Sequence, residues 1–275
     1  MPAPHRHFKF LVKSAKIHSV KVSVAMIAFN EADKIADAIG SVSWADEIIV
    51  IDSESTDTTR EIAADLGAKV IVQPWLGFSE QKQFAVDSAE NDWIFSLDAD
   101  ERVSDHLREE ILALRSETDH VDGYRIPRLS FYMNRPIRHG GWYPDRQLRL
   151  FDRRKGKWNR RLVHESMEMN KNSIVKNLTG DILHLSIDGP EHHHRMIGER
   201  YAPLAARQMF ESGKKTSVPR VMTAGCFAFI RSYLLQAGFL DGFPGYCIAR
   251  FSAHHAFLKH LLLWELQMRS TEKNS

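Results

Sequence analysis

The chain has 275 residues, 43% hydrophobic and 26% charged, ordinary values for one large folded domain or a domain with an appendage. A formal charge of +2 is nearly neutral, so bulk electrostatics gives no ground for a nucleic-acid partner; basic residues gather only locally, at 6–21, 146–161 and 214–220. Two cysteines, Cys226 and Cys247, argue against a disulfide framework or a zinc cluster and suit a reducing compartment.

Residues 1–20 read as a basic arm (Arg6, Lys9, Lys13, Lys16) without the unbroken apolar stretch of a signal peptide. The apolar run 22–28 predicts a buried strand, followed by a helix that Asn30 can cap and whose buried face is Ile35, Ile39 and Val42. Residues 47–51 predict a second strand ending at Asp52, and the helix after it closes at Gly67. A third strand is predicted at 69–72, a helix at 78–89 and a fourth strand at 93–97. This alternation predicts a largely parallel, doubly wound α/β sheet.

Past residue 100 the pattern changes. Ser104 opens a capped helix over 104–114, and strands at 123–131 and 147–151 predict an antiparallel or mixed addition. Between those strands, 138–145 form a loop rich in aromatic and hydrogen-bonding groups. A long helix is predicted over 190–212, with Pro190 at its first position and Gly213 just past its end. His192, His193 and His194 fall at its start, where adjacent residues do not share a face, and read as solvated.

Asp98 and Asp100 close the fourth apolar run. Two apart on an extended segment, their carboxylates point the same way at the strand's carboxyl end, where open α/β sheets bind ligands. Such oxygen ligands suit Mg or Mn held together with substrate phosphates. Asp52 ends an earlier strand, a position from which a carboxylate accepts hydrogen bonds from ribose or base, although Asp-Ser after a strand is also ordinary turn chemistry. No Gly-x-Gly-x-x-Gly and no Gly-Lys-Ser/Thr loop follows the first strand, which disfavours a dinucleotide dehydrogenase and a P-loop enzyme. A diphosphate bound here needs a metal and cationic side chains instead.

Three segments occur in a telling order: Val24-Ala25-Met26-Ile27-Ala28-Phe29-Asn30-Glu31, Asp52-Ser53-Glu54-Ser55-Thr56-Asp57-Thr58-Thr59 and Leu97-Asp98-Ala99-Asp100-Glu101. Over residues 20–102 the sequence thereby resembles the family-2 glycosyltransferases of the GT-A fold. Gly140-Gly141-Trp142-Tyr143-Pro144-Asp145, Val163-His164-Glu165 and Gly238-Phe239-Leu240-Asp241-Gly242 are similar to a narrower subgroup, bacterial lipopolysaccharide-core β-glucosyltransferases. The resemblance implies a GT-A catalytic domain at 21–187, with a nucleotide-sugar half at 21–102 and an acceptor half at 103–187, and a helical region at 188–275. It implies that Ala28, Asn30 and Glu31 line the nucleotide pocket, that Asp52 binds uridine and that Lys82 reaches a phosphate. Asp98 and Asp100 would flank the metal-bound diphosphate, Asp100 as the direct ligand. The acidic pair that usually supplies the general base is missing from its place. Asp145 is the first candidate for that role and Glu165 the second, with His164 completing the metal shell.

Near the C-terminus, residues 226–230, 233–235 and 256–266 are apolar but too short to span a bilayer, and Arg220, Arg231, Arg250, Lys259 and Arg269 interrupt them. Helices packed on the catalytic domain explain them, and so does a peripheral surface on anionic lipid at the cytoplasmic face of the inner membrane. The expectation is an inverting, metal-dependent transfer of a hexose, glucose from UDP-glucose, to a lipid-linked saccharide such as a lipopolysaccharide core. The alternatives are a polyprenyl-phosphate glycosyltransferase and an inactive nucleotide-sugar-binding scaffold at the membrane surface.

Overall fold

The computed structural model describes residues 20–115, 120–159, 166–185, 187 and 189–273. Its N-terminal part alternates strand and helix: β1 (Val22–Ala28), α1 (Ile35–Ser41), β2 (Glu47–Asp52), α2 (Thr59–Asp65), β3 (Lys69–Val72), α3 (Phe78–Asp87) and β4 (Trp93–Ser96). The four strands are parallel, in the order β3-β2-β1-β4. Alternation along β1 sorts its side chains between two cores. Val22, Val24, Met26 and Ala28 share one with Ile35, Ile39, Val42 and Ala63, while Ala25 shares the other with Ala85 and Val86 of α3. With helices on both faces the strands are apolar throughout rather than alternating, as a doubly wound sheet requires.

The chain continues through β5 (Glu101–Val103), α4 (Asp105–Leu114), β6 (Gly123–Tyr132), β7 (Arg135–Pro136), β8 (Asp145–Asp152), β9 (Gly156–Trp158), β10 (Met167–Met169), β11 (Val175–Asn177) and β12 (Ile182–His184). Ser104 caps α4, its Oγ accepting from the Leu107 N–H at 3.3 Å. β8 pairs antiparallel with β4 and with β6, and the sheet runs on through β12 to β5. No helical crossover separates β6 from β8, so the pair can only run antiparallel, and this half of the sheet is mixed.

The C-terminal region is helical: α5 (Pro190–Arg195), a π-helical turn at Met196–Tyr201, α6 (Ala202–Glu211), α7 (Val218–Ile230), a second π-helical turn at Arg231–Leu235, a short 3-10 turn at Gly238–Asp241 and α8 (Gly242–Lys273). The single helix expected over 190–212 is thus one helical path broken by a π-turn. Among the described residues no helix is long and apolar enough to cross a membrane.

Candidate active site

The carboxyl ends of the parallel strands open into a cleft of about 2130 Å³, whose far wall is made by β6, β8 and α5–α6. That exceeds the roughly 300–1,000 Å³ of an ordinary small-ligand pocket, leaving room for two reactants.

The turn after β1 is welded to the turn after β2. Asn30 has a left-handed backbone (φ 54°), donates its N–H to Ser55 Oγ at 2.9 Å and accepts the Thr56 N–H on Oδ1 at 2.8 Å. Asp57 accepts from the Ala32 N–H and from Thr59, and these hydrogen bonds, the Thr59 hydroxyl first, hold its carboxyl below the usual range. Asn30 therefore does not cap α1, which begins at Ile35 behind Lys34; its carboxamide stitches two strand ends instead. Asp52 is fully buried and turned inward, accepting from the Ser55 N–H at 2.9 Å and from the Ser55 hydroxyl. Its neighbour Ser53, with Ala28, Phe29 and Glu31, faces the cleft; Asp52 lies buried behind that surface, and Asn30 is exposed at the turn beside it.

Asp98 and Asp100 both line the cleft, each with a side chain 22% exposed. They sit past the end of β4 in a turn rather than on extended backbone, because Asp98 N donates to Glu101 Oε2 at 3.0 Å and its carbonyl accepts from Glu101 N. The carboxylates consequently face different partners. Asp98 takes Lys82 Nζ at 2.8 Å and Arg149 Nη2 at 3.2 Å. Burial opposes its ionisation, but those two cations overcome the penalty and hold its carboxyl far below the usual range. Lys82 also lies 5.1 Å over the Trp158 ring. Arg149, 3% exposed on β8, reaches Glu101 Oε1 at 2.7 Å; burial disfavours its charge, yet Glu101 and Asp98 push its pKa upward. Glu101 is fully buried and also faces Arg128 at 3.5 Å.

Among the described residues Asp100 makes no ion pair with a lysine or arginine. Its described neighbour is His184 Nε2 at 3.4 Å, delivered by β12, whose Nδ1 faces Ser130 Oγ at 3.3 Å. The lone carboxylate and the imidazole both open into the cleft. An oxygen and a nitrogen donor with no lysine or arginine ion pair among the described residues fit a divalent cation such as Mg or Mn, whereas Asp98 already faces two cations.

On the facing wall, Asp145 begins β8. Its Oδ2 is held by Arg128 Nε and Nη2 at 2.9 and 2.6 Å, and its Oδ1 accepts the Gln147 amide at 2.7 Å. Trp142 lines the cleft beside it. Behind Trp142 stands His193, expected to be solvated but only 7% exposed: it packs against Tyr132, Trp142 and Phe251 with ring centroids 5.5, 6.1 and 4.2 Å away. The reason is the approach of α8, which closes over α5 in a way that local periodicity does not report. Burial lowers the His193 pKa to about 4.

Of the residues singled out in the sequence, Ala28, Glu31, Lys82, Asp98, Asp100 and Asp145 meet in this one cleft. Glu165 and His164 lie outside the described residues. Arg149, Glu101, Arg128 and His184 were not singled out; the acidic residue directly after Asp100 was the available hint for Glu101.

The family model for Glycosyl transferase family 2 matches residues 23–179. An uncharacterized glycosyltransferase of Rickettsia bellii is 34% identical over 263 residues, 90% of this chain and 88% of the relative. The lipopolysaccharide core biosynthesis glycosyltransferase LpsC of Rhizobium meliloti is 31% identical over 258 residues, 88% of this chain and 91% of that protein. Among solved structures, glucosyl-3-phosphoglycerate synthase from Mycobacterium tuberculosis in complex with Mn2+, UDP and glucosyl-3-phosphoglycerate is 25% identical, with a TM-score of 0.34. The match spans under half of either chain, 41% of this one and 44% of the synthase.

Proposed function

The chain belongs to glycosyl transferase family 2, and from that premise we propose that it moves a hexose, glucose from UDP-glucose, with inversion onto a lipid-linked saccharide of the lipopolysaccharide-core kind. The observation that carries this reading is the split of one acidic pair across a cleft large enough for donor and acceptor: Asp98 is neutralised by Lys82 and Arg149, and Asp100 is left with His184. The similarity to LpsC over most of both chains supports the acceptor class.

In this reading Ala28, Glu31 and Ser53 line the nucleotide end, with Asn30 and Asp52 holding the two turns that shape it. Asp52 meets uridine if Ser55 gives up its hydroxyl contact. Asp100 and His184 would hold a divalent cation, Mg or Mn, which when bound supplies charge stabilisation to the departing diphosphate. Lys82, fixed between Asp98 and Trp158, sets a second positive group at the same end. Asp145 takes the acceptor proton through Oδ1, since Oδ2 is committed to two nitrogens of Arg128 and Oδ1 yields only one amide contact. The exposed apolar and basic C-terminal helices keep the protein at the cytoplasmic face of the inner membrane, where such an acceptor resides.

The test is thermal melting with UDP-glucose, UDP-galactose and GDP-mannose, each with and without Mn. A ligand that binds only the folded state raises the melting temperature according to its affinity. A rise with UDP-glucose that requires Mn and vanishes in Asp100→Asn supports the assignment; no rise with any UDP-sugar rejects it.

A further inference from the structure

The end of the molecule where α7 turns into α8 carries an unusual surface. Phe227, Leu234, Leu235, Leu240 and Phe243 project there, Leu235 at 78% and Phe243 at 65% exposure. They surround a contiguous aromatic cluster: Phe229 stacks on Tyr233 at 5.3 Å, and Tyr246 meets Phe229, Tyr233 and Phe243 at 6.0, 5.8 and 6.4 Å. Isolated exposed apolar residues are normal, but a contiguous apolar tip marks an interaction surface. The charge around it is one-sided. Arg231 and Arg250, both exposed, are the basic residues within 227–250, against a single acid, Asp241. Even that carboxylate faces inward, only 7% exposed, with His139 Nδ1 at 2.8 Å from Oδ1.

The same carboxylate ties the tip to the cleft. Asp241 Oδ2 accepts the Arg138 and His139 N–H groups at 3.1 and 2.8 Å, and Gly140 N donates to the Gln236 carbonyl at 2.9 Å. Gly141, with φ +83°, lies so close to the Gln236 carboxamide that a side chain there would collide with it. The next residue, Trp142, lines the cleft.

We propose that the turn between α7 and α8, residues 227–246, is a membrane-interface anchor that inserts its apolar tip among the acyl chains of an anionic leaflet, and that its bond to loop 138–142 fixes the depth of the cleft relative to that surface. This rests on the reading of the acceptor as lipid-linked, and it names the element and the lipid chemistry responsible. Aromatic and aliphatic side chains flanked by the exposed Arg231 and Arg250 suit the boundary between headgroups and hydrocarbon, where apolar burial and attraction to anionic lipid add. A second copy of the chain is the competing occupant, but Arg231 and Arg250 would then face their own copies across a two-fold contact.

The full chain is floated with phosphatidylcholine vesicles with and without phosphatidylglycerol, and its oligomeric state is followed by sedimentation. Expected is binding that requires phosphatidylglycerol, weakens with salt and falls on the order of tenfold in Leu235→Glu and in Phe243→Glu. Both variants replace exposed side chains, and unchanged melting temperatures confirm folding. Vesicle binding unaffected by either variant, or a dimer that Leu235→Glu dissolves in a protein that does not float, overturns the proposal. The Mn-dependent melting shift with UDP-glucose is recorded on the same samples. Its loss in the wild type counts against the transferase reading alone, and its retention without flotation counts against the anchor alone.

Discussion

Arg149 and Glu101 show what a buried charge costs when its partner is removed. Glu101 has no exposure, and Arg149 at 2.7 Å is its shortest ionic contact. Arg149→Met leaves that buried carboxylate the longer Arg128 contact at 3.5 Å, so a loss toward the lower end of about 3–5 kcal/mol is expected, read as a lower urea midpoint at unchanged slope. Asp100 behaves oppositely. It is partly exposed and makes no ion pair with an arginine or lysine among the described residues, so Asp100→Asn should fold with a near-normal melting temperature while transfer falls on the order of 100-fold, measured as turnover of UDP-glucose. A parallel stability loss in Asp100→Asn would show that the aspartate is structural. Asp98 and Asp100 were legible in the sequence because the motif places them together. Their unequal roles were not, since these depend on Lys82, Arg149 and His184, which arrive from α3, β8 and β12 through pairings that no local pattern encodes.

At the scale of elements, β8 links the two halves of the site: Asp145 to Arg149 all line the cleft, a bulge at Arg149 opposite Tyr124 and Arg125 breaks the alternation, and Asp145 and Arg149 each hold a charge partner there. The strand was legible, but the bulge and the burial of both faces toward its end were not, because they follow from its place between β4 and β6. Helix α5 was misread in a related way. Taken alone its histidines are polar residues at a helix start, but α8 and the end of β6 turn His193 into core. That burial has a pH signature. A histidine whose folded pKa is about 4, against 6.5 when unfolded, binds its proton more readily in the unfolded chain between those values. Stability from His193 is therefore complete above about pH 6.5 and lost as pH falls toward 4, by roughly 2–3 kcal/mol. His255 and His260, also lowered by burial, act in the same direction. Urea midpoints measured across that window should slope downward with acid, and less steeply in His193→Phe; equal slopes would remove the histidine from the account.

Across the whole molecule, the parallel half was legible because strands covered on both faces read as continuous apolar runs separated by helical periods. The C-terminal region was legible only as apolar blocks, since nothing in a block says which residues meet α6 and which stay outside. The structure divides them: Val221 and Ala224 face inward, whereas Met222 and Phe227 on the same helix do not. Between these two regions lies the joint at Asp241, and it makes a prediction about mechanical independence. Asp241 closes the Arg138 and His139 amides from a segment about a hundred residues away in sequence, while Gly140 is held separately by Gln236. In Asp241→Ala the first two amides lose their acceptor and the third keeps it. Hydrogen exchange should therefore accelerate at Arg138 and His139 on the order of tenfold or more, with Gly140 less affected and the strands β1–β4 unchanged. Uniform acceleration across β1–β4 would mean that the joint supports the global fold. Confinement to the loop would mean that the helical region and the catalytic sheet are separately stable and that Asp241 sets only how one is fastened to the other.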